Sequence, residues 1–199
     1  FVHAATYPLH VKSRKSVRNV IVCRIDPQIK GDEAYQLDIS SNQIEIRASA
    51  PAGVFYATQT IRQLLPPQIN AANRVSAIKW SVPCLNISDA PVFGYRGMML
   101  DVSRHFMPKE FVMRFIDMLA FHKLNTFHWH LTDDQGWRIE IKQYPKLIET
   151  GAFRRMKIDG HKNAPDWRWK VADHGGFYTQ EEIREVIAYA KKRHVNIIP

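Results

Sequence analysis

Cysteine is almost missing: Cys23 and Cys84 are the only two in 199 residues. They are too few for a disulfide framework and lack metal-ligand spacing, so both are expected as small buried side chains. No stretch approaches the roughly 18 uninterrupted apolar residues that a membrane helix needs, so no membrane span is expected. The N-terminus, Phe1 to His10, lacks the charged start and long apolar stretch of a signal peptide. The chain begins without Met and stops at Asn196-Ile197-Ile198-Pro199, inside an apolar stretch. Both ends therefore read as cuts; prior removal of a targeting peptide is compatible with them, and localisation stays open. Concentrated charge is also lacking. The net charge of +9 comes from ten basic against six acidic residues up to position 91 and eighteen against thirteen after it. A nucleic-acid binder gathers Lys and Arg into one stripe interleaved with aromatics, so no nucleic-acid partner is expected. The densest run, Lys191-Lys192-Arg193, falls at a predicted helix C-terminus, where cations meet the favourable end of the dipole.

What is present is a globular composition, 45% hydrophobic and 24% charged, enough for a genuine core in one or two domains. Tyr35 to Ile39 and Ile44 to Ala48 alternate apolar with polar residues around Ser40-Ser41-Asn42, the pattern of a hairpin with one buried face. Pro51 suits the first turn of a helix in which Val54, Ala57, Ile61, Leu64 and Leu65 recur at helical spacing. Pro66-Pro67 stops it. A short strand around Cys84 to Ile87 then leads to a joint at Ser88-Asp89-Ala90-Pro91. Residues 1–91 are expected to form a small α+β domain. Within it, Gly31-Asp32-Glu33 imitates a catalytic Asp-Glu pair but reads as a solvated turn before the hairpin, and the Asn86-Ile87-Ser88 sequon reads as coincidence.

From Gly94 the pattern changes. Gly97 to Leu100 is an apolar strand ending in Asp101, and a helix follows from Pro108 with Phe111, Val112, Phe115 and Leu119 on one face. Asn125 to Leu131 is a second strand. Thr179-Gln180-Glu181-Glu182 is a capping box opening a helix with Ile183, Val186, Ile187 and Ala190 inward, and Val195 to Ile198 is a third strand. Alternating strands and helices predict right-handed parallel units of an α/β sheet or barrel over 92–199. Eight strands and about 250 residues close such a barrel, so this one is expected to be incomplete.

Chemistry in parallel α/β folds gathers at the carboxyl ends of strands. There the first strand delivers Asp101, Arg104 and His105, and the second delivers His128, His130, Asp133 and Asp134. Each has a plain structural alternative. Asp101 suits a turn cap, Arg104 an ion pair, and His128 and His130, on one strand face, either core positions or metal ligands. Asp133-Asp134 suggests a glycosidase carboxylate pair, but productive pairs stand about 5 to 9.5 Å apart across the substrate and draw on different strands. Trp167 and Trp169 suit stacking on sugar or covering part of the barrel.

Two long blocks carry a resemblance. Tyr95-Arg96-Gly97-Met98-Met99-Leu100-Asp101-Val102-Ser103-Arg104-His105-Phe106 resembles the first barrel strand of family 20 glycoside hydrolases. Leu124-Asn125-Thr126-Phe127-His128-Trp129-His130-Leu131-Thr132-Asp133-Asp134-Gln135-Gly136-Trp137-Arg138 resembles the family's second strand and loop. Gly175-Gly176-Phe177-Tyr178-Thr179 looks like the lead into its next helix, and Pro51 to Ala57 like the small α+β domain before the barrel. The resemblance implies an α+β domain followed by the first three βα units of a TIM-type (β/α)8 barrel. It gives Arg104 the task of gripping hydroxyls of a terminal N-acetylhexosamine, gives Asp133 a polar role beside it, and makes Asp101, His105, His128, His130 and Asp134 supporting residues. The implied reaction is retaining removal of terminal β-linked N-acetylglucosamine or N-acetylgalactosamine, with the substrate's own acetamido oxygen as nucleophile. Its Asp-Glu pair follows the family's fourth strand and is expected beyond Pro199, so this piece is expected to be inactive and to self-associate through uncovered barrel surfaces. No metal or cofactor is implied, and a secreted, periplasmic or lysosomal-type location is. Two alternatives stay open: a metal-dependent barrel hydrolase using His128 and His130, and a non-catalytic carbohydrate-binding protein.

Overall fold

The computed structural model describes residues 19–159, 165 and 168–199. Phe1 to His10 and Trp167 lie outside the described residues, as does the side chain of Trp169. The chain divides into two compact units, 1–94 and 95–199.

In the first unit, β1 (Val20–Ile25), β2 (Tyr35–Ile39), β3 (Gln43–Ala48) and β4 (Leu85–Asp89) form a sheet in the order β1-β3-β2-β4. The expected hairpin is β2 and β3, antiparallel with Leu37 opposite Ile46. Ser40 closes it, its N–H donating to Gln43 O at 2.9 Å. Alternation buries Tyr35, Leu37 and Ile39 on one face, where α1 (Pro51–Leu64) lays Tyr56, Ala57 and Ile61 against them. Leu37 and Ile46 are completely buried, each contributing about 1.5–3 kcal/mol of hydrophobic stabilisation. Gly53 makes the close approach possible, since a Cβ there would strike Ala34 O and stand 2.9 Å from Ala48 Cβ. The Gly31-Asp32-Glu33 segment is a turn, with Gly31 at φ +99° and Ala34 N–H donating to Gly31 O. Asn86 lies within β4 with its amide on Asp38.

Two residues need correction in this unit. Cys23 and Cys84 are exposed, not buried. Cys23 lies on β1, the edge strand, where only one flank is covered by a neighbour. That strand is itself an addition. It runs parallel to β3, with Cys23 beside Ile46, and carries no turn signal that would have tied it to the hairpin.

In the second unit, β5 (Gly97–Asp101), α2 (Lys109–Phe121), β6 (Thr126–His130) and β11 (Asn196–Ile198) realise the expected alternation, with parallel strands in the order β11-β6-β5. Val112, Ile116 and Leu119 are the buried stripe of α2, and Phe115 packs on Phe127 with ring centroids 5.4 Å apart. Phe127 and Trp129 thus face the helix side of β6. His128 and His130 face the other side, in register with Met99 and Asp101.

Between β6 and β11 the chain is more structured than its sequence suggests. It forms the short pair β7 (Thr132–Asp133) and β8 (Gly136–Trp137), the short helix α3 (Lys146–Glu149), a hairpin of β9 (Phe153–Asp159) and β10 (Arg168–Gly175), and α4 (Gln180–Lys191). The capping box is present: Thr179 accepts from Glu182 N–H, and the Glu182 carboxylate accepts from Thr179 N–H at 3.0 Å. Val186 and Ala190 are buried, but Ile187 is 48% exposed, a further correction. Successive helical positions turn by 100°, which sets Ile187 on the flank of the Ile183, Val186, Ala190 stripe. The basic run closes the helix as expected, and Arg193 Nε donates to Asp117 Oδ1.

Candidate functional site

Strand β5 ends in Asp101, and the chain turns there because the Asp101 carboxylate accepts two backbone bonds. Oδ1 takes the N–H groups of Ser103 and Arg104, both at 3.0 Å, an Asx-type turn. The other oxygen, Oδ2, receives Arg104 Nη1 at 2.9 Å. Asp101 therefore caps the turn with one oxygen and pairs with Arg104 through the other.

Strand β6 ends beside it, in register, and supplies the opposite wall. Arg104 Nη2 reaches Asp133 Oδ2 at 2.8 Å, and Arg104 Nε donates to Gln135 Oε1 at 2.6 Å. His130 Nε2 stands 3.0 Å from the same Asp133 oxygen. A carboxylate only accepts, so that nitrogen carries the proton. The Arg104 Nη1 contact to His130 Nε2, at 3.3 Å, is then an approach of two donors. Arg104 thus lies between two carboxylates and an amide, with its side chain still 49% exposed.

Electrostatics follow from this arrangement. The hydrogen bond to Asp101, reinforced by Asp101, Asp133 and Asp134, holds the Arg104 guanidinium above its usual range. Asp133 is held below the usual carboxylate range, first by the Asp134 N–H on Oδ1 at 2.8 Å and then by His130. Both groups are charged at neutral pH and mutually oriented, a fixed fork of donors beside a fixed acceptor, suited to neighbouring hydroxyls.

Of the residues expected here, Arg104, Asp133, Asp101 and His130 are brought together. Asp134 contributes its backbone N–H while its side chain is exposed. His128 lies one turn of the pleat below His130, ring centroids 6.0 Å apart. His105 departs from the cluster: it stacks on His174 of β10 at 4.4 Å, while His174 Nε2 accepts the Phe106 N–H. Among the described residues no group of three or more His, Cys, Asp or Glu is arranged to hold a metal ion.

Sequence reasoning assigned no role to Gln135, Arg138, Arg154 or Tyr178. Arg138 is completely buried. Its guanidinium donates to the carbonyls of Val102, Ser103, Ala152 and Gly176, joining the β5 loop to both ends of the β9–β10 hairpin. Gly136 is required beside it, because a Cβ would collide with that guanidinium and lie 2.8 Å from Ser103 O. Burial holds the Arg138 pKa below its usual value. Tyr178, buried against Trp129 at 4.7 Å and bonded to Met107 O, has its pKa raised by the same cause. The sequence signals for this scaffold were the Gly136-Trp137-Arg138 triplet and the Gly175 to Thr179 segment, both within the stretches that resemble the family.

Comparisons with known proteins identify the family of both units. Residues 93–199 match the catalytic domain of glycosyl hydrolase family 20, and residues 2–90 match domain 2 of that family. A beta-hexosaminidase of Vibrio furnissii is 48% identical over 179 residues, covering 90% of this chain and 27% of that protein. The crystal structure of an exo beta-N-acetylglucosaminidase from Vibrio harveyi, in complex with N-acetylglucosamine, superposes with a TM-score of 0.76 at 43% identity, over 90% of this chain and 26% of that one. An N-acetyl-beta-hexosaminidase of Streptomyces plicatus in complex with Thio-NAglucal gives a TM-score of 0.84 at 36% identity, covering the whole of this chain and 36% of that one. The chain thus spans about a quarter to a third of the length of these relatives, and with both of its units matched it belongs to glycosyl hydrolase family 20.

Proposed function

We propose that the protein of which these residues form part removes terminal β-linked N-acetylglucosamine or N-acetylgalactosamine with retention of configuration, and that this chain supplies one wall of the innermost sugar pocket. The observation that carries the reading is the Arg104 guanidinium, half exposed and held between Asp101 and Asp133 at the carboxyl ends of two adjacent parallel strands. In this reading 92–199 contributes the first three βα units of a (β/α)8 barrel, preceded by the small domain of 1–91. Arg104 grips ring hydroxyls, Asp133 orders the fork and accepts from the same sugar, and Asp101, His130 and Asp134 hold the pair in place. His128 and His105 support the floor and the neighbouring loop.

The nucleophile in this scheme is the substrate's acetamido oxygen, and an Asp-Glu pair from outside these residues orients it and moves the proton. Asp133 and Asp134 do not replace that pair. They are adjacent in sequence, and Asp133 is committed to Arg104 and His130. The 199 residues alone are therefore expected to turn over no substrate.

The test is the full-length protein assayed on a chromogenic β-N-acetylglucosaminide beside its Arg104→Lys variant. Lys keeps the charge but not the fork, and kcat/KM is expected to fall roughly a hundredfold, the loss of one or two charge-assisted bonds. Unchanged kinetics would remove Arg104 from the pocket. Binding without turnover by the full-length protein would favour a carbohydrate-binding role.

A further inference from the structure

Three consecutive carbonyls after β5 end on guanidinium groups. Val102 O and Ser103 O accept from Arg138, and Arg104 O accepts from Arg154 Nη2. Arg154, the second residue of β9, also donates from Nη1 to Gln135 O at 3.2 Å. Gln135 is the residue whose side-chain oxygen holds Arg104 Nε. Arg154 therefore fastens Arg104 twice, through the backbone of Arg104 itself and through the backbone of its side-chain partner.

No ion pair accounts for this placement. Among the described residues Arg154 is bonded to carbonyls and to no carboxylate, and its Nε is buried without a hydrogen-bond partner, an arrangement that costs free energy. It also lies close enough to Arg138 for its charge, after burial, to disfavour the charged form of that neighbour. What the arrangement does achieve is preorganisation. Arg104 has a long, rotatable side chain, and a fork that must meet two hydroxyls at once loses much of its value when displaced by about 1 Å.

We propose that Arg154 is a positioning residue for Arg104: by holding the carbonyls of Arg104 and Gln135 it sets the direction in which the guanidinium fork points, without itself touching the sugar. The inference rests on the sugar-gripping role of Arg104 given above.

The experiment is a double-mutant cycle in the full-length protein, with kcat and KM measured separately on a chromogenic β-N-acetylglucosaminide and melting temperatures recorded alongside. Arg154→Gln is expected to raise KM about tenfold with a smaller change in kcat, and Arg154→Lys, which retains a cationic donor, to recover part of the loss. In an Arg104→Ala background the Arg154→Gln substitution is expected to change kcat/KM by less than about twofold, because the group it positions is gone. An equal loss in both backgrounds, or no loss in either, overturns the positioning role while leaving Arg104 in place. An Arg104→Ala protein with undiminished kcat/KM overturns the sugar-gripping role itself, and this inference with it. If Arg154→Gln melts too low to assay, the cycle is run with Arg154→Lys under the same criterion.

Discussion

Asp133 satisfies three groups with two oxygens: Oδ1 accepts from Asp134 N–H, and Oδ2 accepts from His130 and Arg104. Asp133→Asn keeps an acceptor for the Asp134 N–H but removes the charge that orders the fork. KM for a β-N-acetylglucosaminide in the full-length protein is expected to rise roughly tenfold to a hundredfold, with little change in melting temperature, since the site is partly exposed. The pH dependence has a definite sign. These contacts favour the charged form and depress the Asp133 pKa, so its contribution is complete above the usual carboxylate range and fades as pH falls through the depressed value. N-acetylglucosamine affinity measured by titration calorimetry should hold down to that range and drop below it, and Asp133→Asn should flatten the drop. A loss already at about pH 6, well above the usual Asp range, would point to a group other than Asp133. Arg104, Asp133, Asp101 and His130 were legible in the sequence because ionisable side chains at strand ends stand out against apolar strands. Arg138 and Arg154 were not. Their partners are backbone carbonyls, which every residue possesses, so no spacing of side chains announces them.

At the scale of elements, legibility followed periodicity. The alternation of β2 and β3 and the helical spacing of α1 and α2 place apolar residues on a face that the fold then buries, and the capping box of α4 marks where that helix begins. The β9–β10 hairpin escaped notice because Phe153-Arg154-Arg155-Met156-Lys157 reads as a charged loop, and β1 because a parallel edge strand has no adjoining turn to mark it. The capping box gives a direct test. Thr179→Ala removes the acceptor for Glu182 N–H and should destabilise the unit by about 1 kcal/mol, read as a lower denaturant midpoint with an unchanged slope. Thr179→Ser should restore nearly all of it.

The chain as a whole presents a sheet whose strand β5 has β6 on one side and no partner on the other among the described residues. Met98 and Met99 on that strand are 52% and 50% exposed. An open strand with apolar side chains is a template for pairing with another copy. The 199 residues expressed alone are therefore expected to associate, seen as a mass by light scattering that rises with concentration. Met98 shares a face with Phe127, the helix side of the sheet, and Met99 shares the other with His128, so both faces of the edge are apolar at this point. Met98→Lys should lower the association, because a charge on an edge strand blunts pairing. In the full-length protein the same substitution should act in the opposite sense. If further strands and helices of a barrel cover β5, as we propose, the introduced ammonium group would have to be buried or displaced, and the melting temperature should fall. A chain that stays monomeric at every concentration, or a full-length protein indifferent to Met98→Lys, would mean that β5 is no inner strand of a larger sheet.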